Sequence, residues 1–254
     1  MKRNLKLILS VSMMLFIVGC SSNKGDIEKI QLNISAASST KEVMEKVKLE
    51  YEKANNDVEL IINYGGSGAL QQQIEQGAPC DIIISAGDKQ VNELRKKELL
   101  IEESIADLVK NELVLIAPSS SNITSITDLL NKEVVHIAIG EPNSVPVGEY
   151  AKQATENLNI YNDIKDKMVY AKDVKEVLAW VRSSNSEAGF VYYTDTLNNE
   201  KIKIVERIDS KTHKPITYPI AIIKNSKKIE ECKEFQTYLL SQSGQVIFKE
   251  FGYQ

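Results

Sequence analysis

From residue 31 onward, short β-rich runs alternate with stretches of helical periodicity, and this alternation limits the fold more than any other feature of the sequence. Runs at 31–35, 58–64, 81–85, 113–117, 134–139, 168–171, 189–193, 202–205 and 218–223 read as strands. Between them, 41–54 repeats Val43, Val47 and Tyr51 every four residues, and 174–182 carries Val174, Val177, Leu178 and Val181 as an i, i+3, i+4, i+7 stripe. Each is the pattern of a helix with one apolar face. The alternation predicts open α/β sheets. No internal repeat and no linker rich in Pro, Gly or Ser divides this part of the chain, so if it forms two lobes, strands must join them. Segments 227–240 and 242–251 are helical in pattern, with no strand pattern after 223. Packed back on the first lobe, they would make that lobe discontinuous.

Composition narrows the function classes. The chain has 254 residues, 43% of them apolar, which is ample for a packed core and argues against disorder. A net charge of −4 gives no long-range help in binding a nucleic-acid backbone, which calls for clustered Lys and Arg, so nucleic acid is not an expected partner. Two His (His136, His213) and three Cys (Cys20, Cys80, Cys232) show no zinc-site spacing and are too few for a disulfide scaffold.

The N-terminus reads as an address. Lys2, Arg3 and Lys6 precede an apolar run at 7–18 that is too short to span a membrane but suits an export signal. The run ends at Gly19-Cys20, followed by Ser21, Ser22, Asn23, Lys24 and Gly25, and resembles the lipobox of bacterial lipoproteins. The resemblance implies a signal peptide at 1–19, a lipidated Cys20 and a flexible tether at 20–28. Cys232 shares an apolar stripe with Ile229, Phe235 and Leu239 and is expected to be a buried, inert thiol, whereas nothing functional is inferred for Cys80.

The candidate chemistry sits where strands hand over to helices. In open α/β sheets, ligands bind at the carboxyl ends of strands, where helix N-termini offer unpaired N–H groups and a positive dipole end. Four junctions stand out. In Ser35-Ala36-Ala37-Ser38-Ser39-Thr40-Lys41-Glu42, small side chains let an anion approach the backbone, and Ser39 with Glu42 fits a capping box. In Tyr64-Gly65-Gly66-Ser67-Gly68-Ala69-Leu70, glycines permit a tight turn before a helix. Pro146 stands before Val147 at the start of a helical pattern, leaving the Val147 N–H free. Asp173 is a good N-cap with Glu176 three residues on, leaving the Val174 N–H near a helix start. A site built from these is neutral and rich in donors. It favours a fully ionised dianion, because a protonated oxyanion would need an acceptor for its hydrogen. At about 1.5–3 kcal/mol for each charge-assisted hydrogen bond, five to seven give tight binding.

These residues, together with the stretch Gln73-Ile74-Glu75-Gln76-Gly77-Ala78-Pro79-Cys80-Asp81-Ile82-Ile83-Ile84-Ser85-Ala86, the run Val145-Pro146-Val147-Gly148-Glu149-Tyr150-Ala151-Lys152, and Gly189-Phe190-Val191-Tyr192, resemble the molybdate-binding proteins of ABC importers from about residue 31 to 253. The resemblance implies a type II two-lobe periplasmic-binding-protein fold. Each lobe is then an open α/β sheet, and hinge strands let the lobes close over a tetrahedral molybdate or tungstate. By that implication, lobe 1 comprises 29–110 plus 225–254 and lobe 2 comprises 111–224. Ligand contacts come from Ser38 and Ser67 through hydroxyl and backbone N–H, from the backbone N–H of Val147 and Val174, and from the Tyr192 hydroxyl. Tyr193 then points to the opposite face of its strand. The implied partners are a membrane permease and, indirectly, its ATPase. The implied protein is a monomer without catalysis or cofactor, lipid-anchored at the outer face of the cytoplasmic membrane, or on the periplasmic side in a Gram-negative cell. The Gly65-Gly66-Ser67-Gly68 loop departs from the Ser-rich form of the family, Val147 stands in place of a small residue, and Cys80 stands where a small residue is expected.

Other readings remain open at this level. Gly65-Gly66-Ser67-Gly68-Ala69 is one residue short of a nucleophile elbow and is followed by Asp195 and His213, in the Ser, Asp, His order of a secreted serine hydrolase. Against that reading, His213 lies in the polar stretch 209–214, and the other three helix starts go unexplained. Sulfate, phosphate or an organic anion could replace molybdate in the same fold. An adhesion or scaffold lipoprotein would have no small-ligand cleft.

Overall fold

A computed structural model describes residues 29–254, so the expected signal peptide at 1–19 and the lipidated Cys20 with its tether to residue 28 lie outside the described residues. In chain order the elements are β1 (Ile30–Ala37), α1 (Lys41–Ala54), β2 (Val58–Gly65), α2 (Ser67–Glu75), β3 (Ile82–Ile84), α3 (Asp88–Lys96), β4 (Ala106–Lys110), β5 (Leu113–Pro118), β6 (Ile137–Gly140), α4 (Pro146–Asn157), α5 (Tyr161–Ile164), β7 (Met168–Ala171), α6 (Val174–Arg182), β8 (Ala188–Tyr192), β9 (Ile202–Arg207), β10 (Thr217–Ile222), α7 (Ile229–Leu240) and α8 (Gln242–Glu250). All nine expected strands are present. The tenth, β4, is an edge strand whose sequence, Ala-Asp-Leu-Val-Lys, has too few apolar residues to stand out.

The strands form two five-stranded sheets, ordered β2-β1-β3-β10-β4 and β7-β6-β8-β5-β9. In the first, β1 runs parallel to β2 and β3, while β10 is antiparallel to β3 and β4. In the second, β6 runs parallel to β7 and β8, while β5 is antiparallel to β8 and β9. The two lobes therefore repeat one topology without repeating sequence, and β1 and β2 in the first correspond to β6 and β7 in the second. Helices pack on the sheets, and inner strands such as β5 are buried along almost their whole length, as strands covered on both faces must be.

The chain crosses between lobes twice. The first crossing follows β4. The second lies before β10, earlier than the 224/225 boundary expected from the sequence, because β10 pairs with β3 and β4 and so belongs to the first lobe. Its apolar pattern marks a strand but carries no information about its partner. The two crossings run side by side. Lys110 is in register with Thr217, the Asn111 N–H donates to the Ile216 carbonyl at 3.1 Å, and the Ile208 N–H donates to the Leu113 carbonyl at 3.0 Å. These paired strands join the two lobes.

The C-terminal helices return to the first lobe. The Tyr51 ring on α1 meets Phe235 at 4.8 Å and Tyr238 at 5.1 Å on α7, and the Gln254 N–H donates to the Lys110 carbonyl at 3.0 Å. Asp81 ties this return to β1: its carboxylate accepts from the Asn33 N–H at 2.8 Å and from the Ser226 hydroxyl at 2.6 Å, with the Lys228 ammonium at 3.3 Å. Burial works to raise the Asp81 pKa, but these donors outweigh it and hold the carboxyl below its ordinary range. Cys232 is fully buried, as expected, and burial pushes its thiol up to about 12. Cys80 donates to the Ile82 carbonyl at 3.2 Å, and burial raises its thiol as well.

Candidate functional site

The repeated topology brings four strand-to-helix junctions to one cleft: β1 to α1 and β2 to α2 from the first lobe, β6 to α4 and β7 to α6 from the second. The cavity between them is lined by Ser38, Ser67, Val147, Val174 and Tyr192, so all five expected ligand residues meet around one space. Ala37, Ser39, Gly65, Gly66, Ala86, Val145 and Pro146 complete the wall, and no Lys, Arg, Asp or Glu lines it. Its atom-free space is about 200 Å³, opening included. The space is narrow and closed in by backbone and small side chains, which suits a small ion rather than an extended organic ligand.

Each wall residue is held by its own local physics. The Ser67 hydroxyl accepts from the Ala86 N–H at 3.1 Å, which leaves its own hydrogen free to donate into the cavity. Ser38 lies in the 3-10 turn Ser38–Thr40 that precedes α1, and its hydroxyl has no protein partner among the described residues. Val147 follows Pro146 in the first turn of α4, and Val174 opens α6 after Asp173. Neither N–H has an acceptor within its own helix, as at every helix start. Asp173 caps α6 as expected, accepting from the Glu176 N–H at 3.0 Å, while the Glu176 carboxylate takes the Lys172 N–H at 2.8 Å.

Tyr192 ends β8 only 1% exposed, and its hydroxyl donates across the cleft to the Ala86 carbonyl at a long 3.4 Å, a bond that an anion in the cavity would take over. Burial, with Tyr150 and Asp195 nearby, raises the Tyr192 pKa well above its ordinary value, so the hydroxyl stays protonated and able to donate. Tyr193 faces the other way, its ring 4.0 Å from the Arg207 guanidinium.

The capping box expected from Ser39 and Glu42 does not form. The Ser39 hydroxyl lies 2.9 Å from the Tyr218 hydroxyl, and the Ser39 carbonyl accepts from the Tyr253 hydroxyl at 2.9 Å. Glu42 reaches across the cleft to Lys175 at 2.7 Å. Lys175, next to Val174, also lies 2.9 Å from Asp195, whose carboxylate takes the Tyr192 N–H at 3.3 Å. Burial would lower the Lys175 pKa, but Asp195 and Glu42 outweigh it and hold the ammonium above its usual range. This cation one residue outside the wall carried no signal in the sequence, since both carboxylates that engage it are remote along the chain.

The hydrolase geometry is not built. Ser67 is bonded to Ala86, Asp195 is paired with Lys175, and the His213 Nδ1 lies 2.7 Å from the Lys214 carbonyl, so the three residues do not form the hydrogen-bonded chain that a catalytic triad requires.

Comparison with known proteins gives a consistent picture. Residues 32–254 match the family described as bacterial extracellular solute-binding protein. YvgL of Bacillus subtilis, provisionally assigned as an ABC transporter substrate-binding lipoprotein, is 39% identical over 251 residues, covering 97% of this chain and 96% of its own. The molybdate-binding protein ModA of Haemophilus influenzae is 31% identical over 255 residues, covering 98% and 99%. Among solved structures, a substrate-binding domain provisionally assigned to a molybdenum ABC transporter of Clostridium difficile is 56% identical, with a TM-score of 0.69 over 88% of this chain and 98% of that one. The periplasmic molybdate-binding protein of Azotobacter vinelandii, 20% identical, shares the fold with a TM-score of 0.79 over 88% and 98%.

Proposed function

The chain belongs to the bacterial extracellular solute-binding protein family, and from that premise we propose that it is the receptor of an ABC importer that captures molybdate, with tungstate as a second ligand, between its two lobes. The observation that carries this reading is the small cavity with an uncharged wall. Its polar groups are the Ser38, Ser67 and Tyr192 hydroxyls and the N–H groups at the starts of α4 and α6. Such a wall holds a fully ionised tetrahedral dianion by donors and helix dipoles and offers little to a protonated one. Relatives named for molybdate binding support the choice among dianions.

Capture works by hinge closure. Two strands running side by side join the lobes beside Lys110 and Thr217, the arrangement about which two rigid lobes rotate. The closed form then delivers the anion to a membrane permease driven by a separate ATPase.

Calorimetric titration of the purified protein with molybdate, tungstate, sulfate and phosphate at neutral pH tests the reading. Tight one-to-one binding of the first two with little response to the others is expected. Preferential sulfate or phosphate binding would keep the fold and move the substrate. No heat from any anion would overturn the reading.

The lipid anchor at Cys20 belongs to the same proposal, supported by the lipobox-like run before it and by the lipoprotein naming of YvgL. Replacing Cys20 with Ser should release the protein from membranes in cell fractionation. Retention in the membrane fraction would refute the anchor.

A further inference from the structure

We propose that Gly66 and Gly68 set how far the lobes close, by letting the backbone of the first lobe touch the backbone of the second across the cleft. The inference rests on the two-lobe capture reading and identifies residues that act through closure rather than by donating to the anion.

Neither glycine is required by its own backbone. Gly66 has φ −64° and ψ 135°, an extended conformation open to any residue, and Gly68 lies within the first turn of α2. Among the described residues, only Gly77 and Gly252 are glycines with positive φ. The tight turn expected of the Gly65-Gly66-Ser67-Gly68 loop is therefore not what these two positions serve. The opposite lobe supplies the reason. A Cβ on Gly66 would stand 2.4 Å from the Lys172 carbonyl oxygen, at the junction of β7 and α6. A Cβ on Gly68 would stand 2.3 Å from the Ser144 carbonyl oxygen and 2.9 Å from the Ser144 Cα, just before α4. The Gly68 N–H donates to that same Ser144 carbonyl at 2.9 Å. These obstacles are backbone atoms, which cannot swing aside as a flexible side chain can.

The two contacts flank Ser67 and meet the segments that lead to Val147 and Val174. Whatever holds the lobes apart at 66 or 68 therefore separates the donors of one lobe from those of the other. Besides the long Tyr192 hydroxyl bond to the Ala86 carbonyl, two side-chain links cross nearby, from Lys89 to the Asn143 carbonyl at 3.0 Å and from Lys175 to Glu42 at 2.7 Å. Both are long and adaptable, so they follow closure rather than limit it.

The test compares wild type, Gly66→Ala and Gly68→Ala by three measurements: molybdate and tungstate titration, solution-scattering radius of gyration with and without anion, and thermal melting without anion. A fourth measurement needs no ligand. Lys89→Cys and Asn143→Cys are placed together in each background, and the rate at which a short bis-maleimide joins them is followed. In the wild type, the anion should shrink the radius of gyration. Gly68→Ala should melt no lower than wild type without anion, since Ala is favoured over Gly in a helix, yet bind at least tenfold more weakly, fail to compact, and crosslink at least tenfold more slowly. Gly66→Ala should lose affinity, compaction and crosslinking alike, with a small fall in anion-free melting temperature because Gly66 is the N-cap of α2, where Gly is preferred over Ala. Wild-type affinity, compaction and crosslinking in both variants would overturn the inference. So would a fall in the anion-free melting temperature of both, since the glycines would then serve their own lobe. Should the wild type bind no oxyanion, the substrate reading fails, and the crosslinking rates alone decide the inference about closure.

Discussion

Gly148→Ala is expected to destabilise the protein by about 3 kcal/mol, the upper end of the usual range for overpacking, and to abolish anion binding, because it inserts a methyl group where two backbones touch within one lobe. A Cβ at this position would lie 1.9 Å from the Gly140 carbonyl oxygen and 2.4 Å from its carbon. Gly140 ends β6 and Gly148 lies in the first turn of α4, so the contact fixes where that helix begins relative to its sheet. The Val145 carbonyl accepts from the Gly148 N–H at 3.0 Å, so relief of the clash must move the turn that carries Val147. Denaturant melts of the variant should show a lower midpoint without anion and no shift on adding molybdate. A variant that melts like wild type would show that α4 can slide on its sheet, and that the position of the Val147 N–H is not fixed by this contact. The effect differs in kind from that of Gly68→Ala, which should leave the anion-free protein intact.

The second large effect concerns the hydroxyl donors. Ser38→Ala removes a group with no protein partner, so its cost should appear in binding alone, at about 1.5–3 kcal/mol, or roughly 10- to 150-fold in affinity. Ser67→Ala removes a donor and also the acceptor of the Ala86 N–H, so it should weaken binding at least as much and lower the anion-free stability by about 1–3 kcal/mol. Combined, the two should bring the affinity down by more than either alone but not by their simple product, since both hydroxyls face one small cavity. Calorimetry with molybdate, paired with anion-free melting, separates the two serines. Unchanged affinity in Ser38→Ala would reduce the first junction to a structural turn.

Much of this was legible in the sequence for physical reasons that can be named. Inner strands covered on both faces are continuous apolar runs, so Leu113–Pro118 and Ile82–Ile84 stand out against their neighbours. The helix at Val174–Arg182 carries its stripe and its cap in the sequence, and both its ends fall where the pattern puts them. What escaped depends on partners remote in sequence. Thr217–Ile222 is plainly a strand, but nothing in its residues says which sheet it joins, and so the lobe boundary was displaced. Ser39 beside Glu42 satisfies the local rule for a capping box, yet a hydroxyl 179 residues away, on Tyr218, takes it instead. Gly66 and Gly68 look like turn glycines until the second lobe is set against them. Lys175 has two acidic partners, Glu42 and Asp195, neither of which is adjacent in sequence. The five wall residues were legible because helix starts announce themselves locally and because the order of motifs resembles a known family.

The central claim is that a tetrahedral oxyanion sits among those five residues. The most direct test is X-ray diffraction at the molybdenum absorption edge from crystals grown with molybdate. The account predicts one strong anomalous peak in the cavity, enclosed by the Ser38, Ser67 and Tyr192 hydroxyls and the Val147 and Val174 amides. A peak elsewhere on the molecule, or none in crystals of protein that binds molybdate in solution, would contradict it.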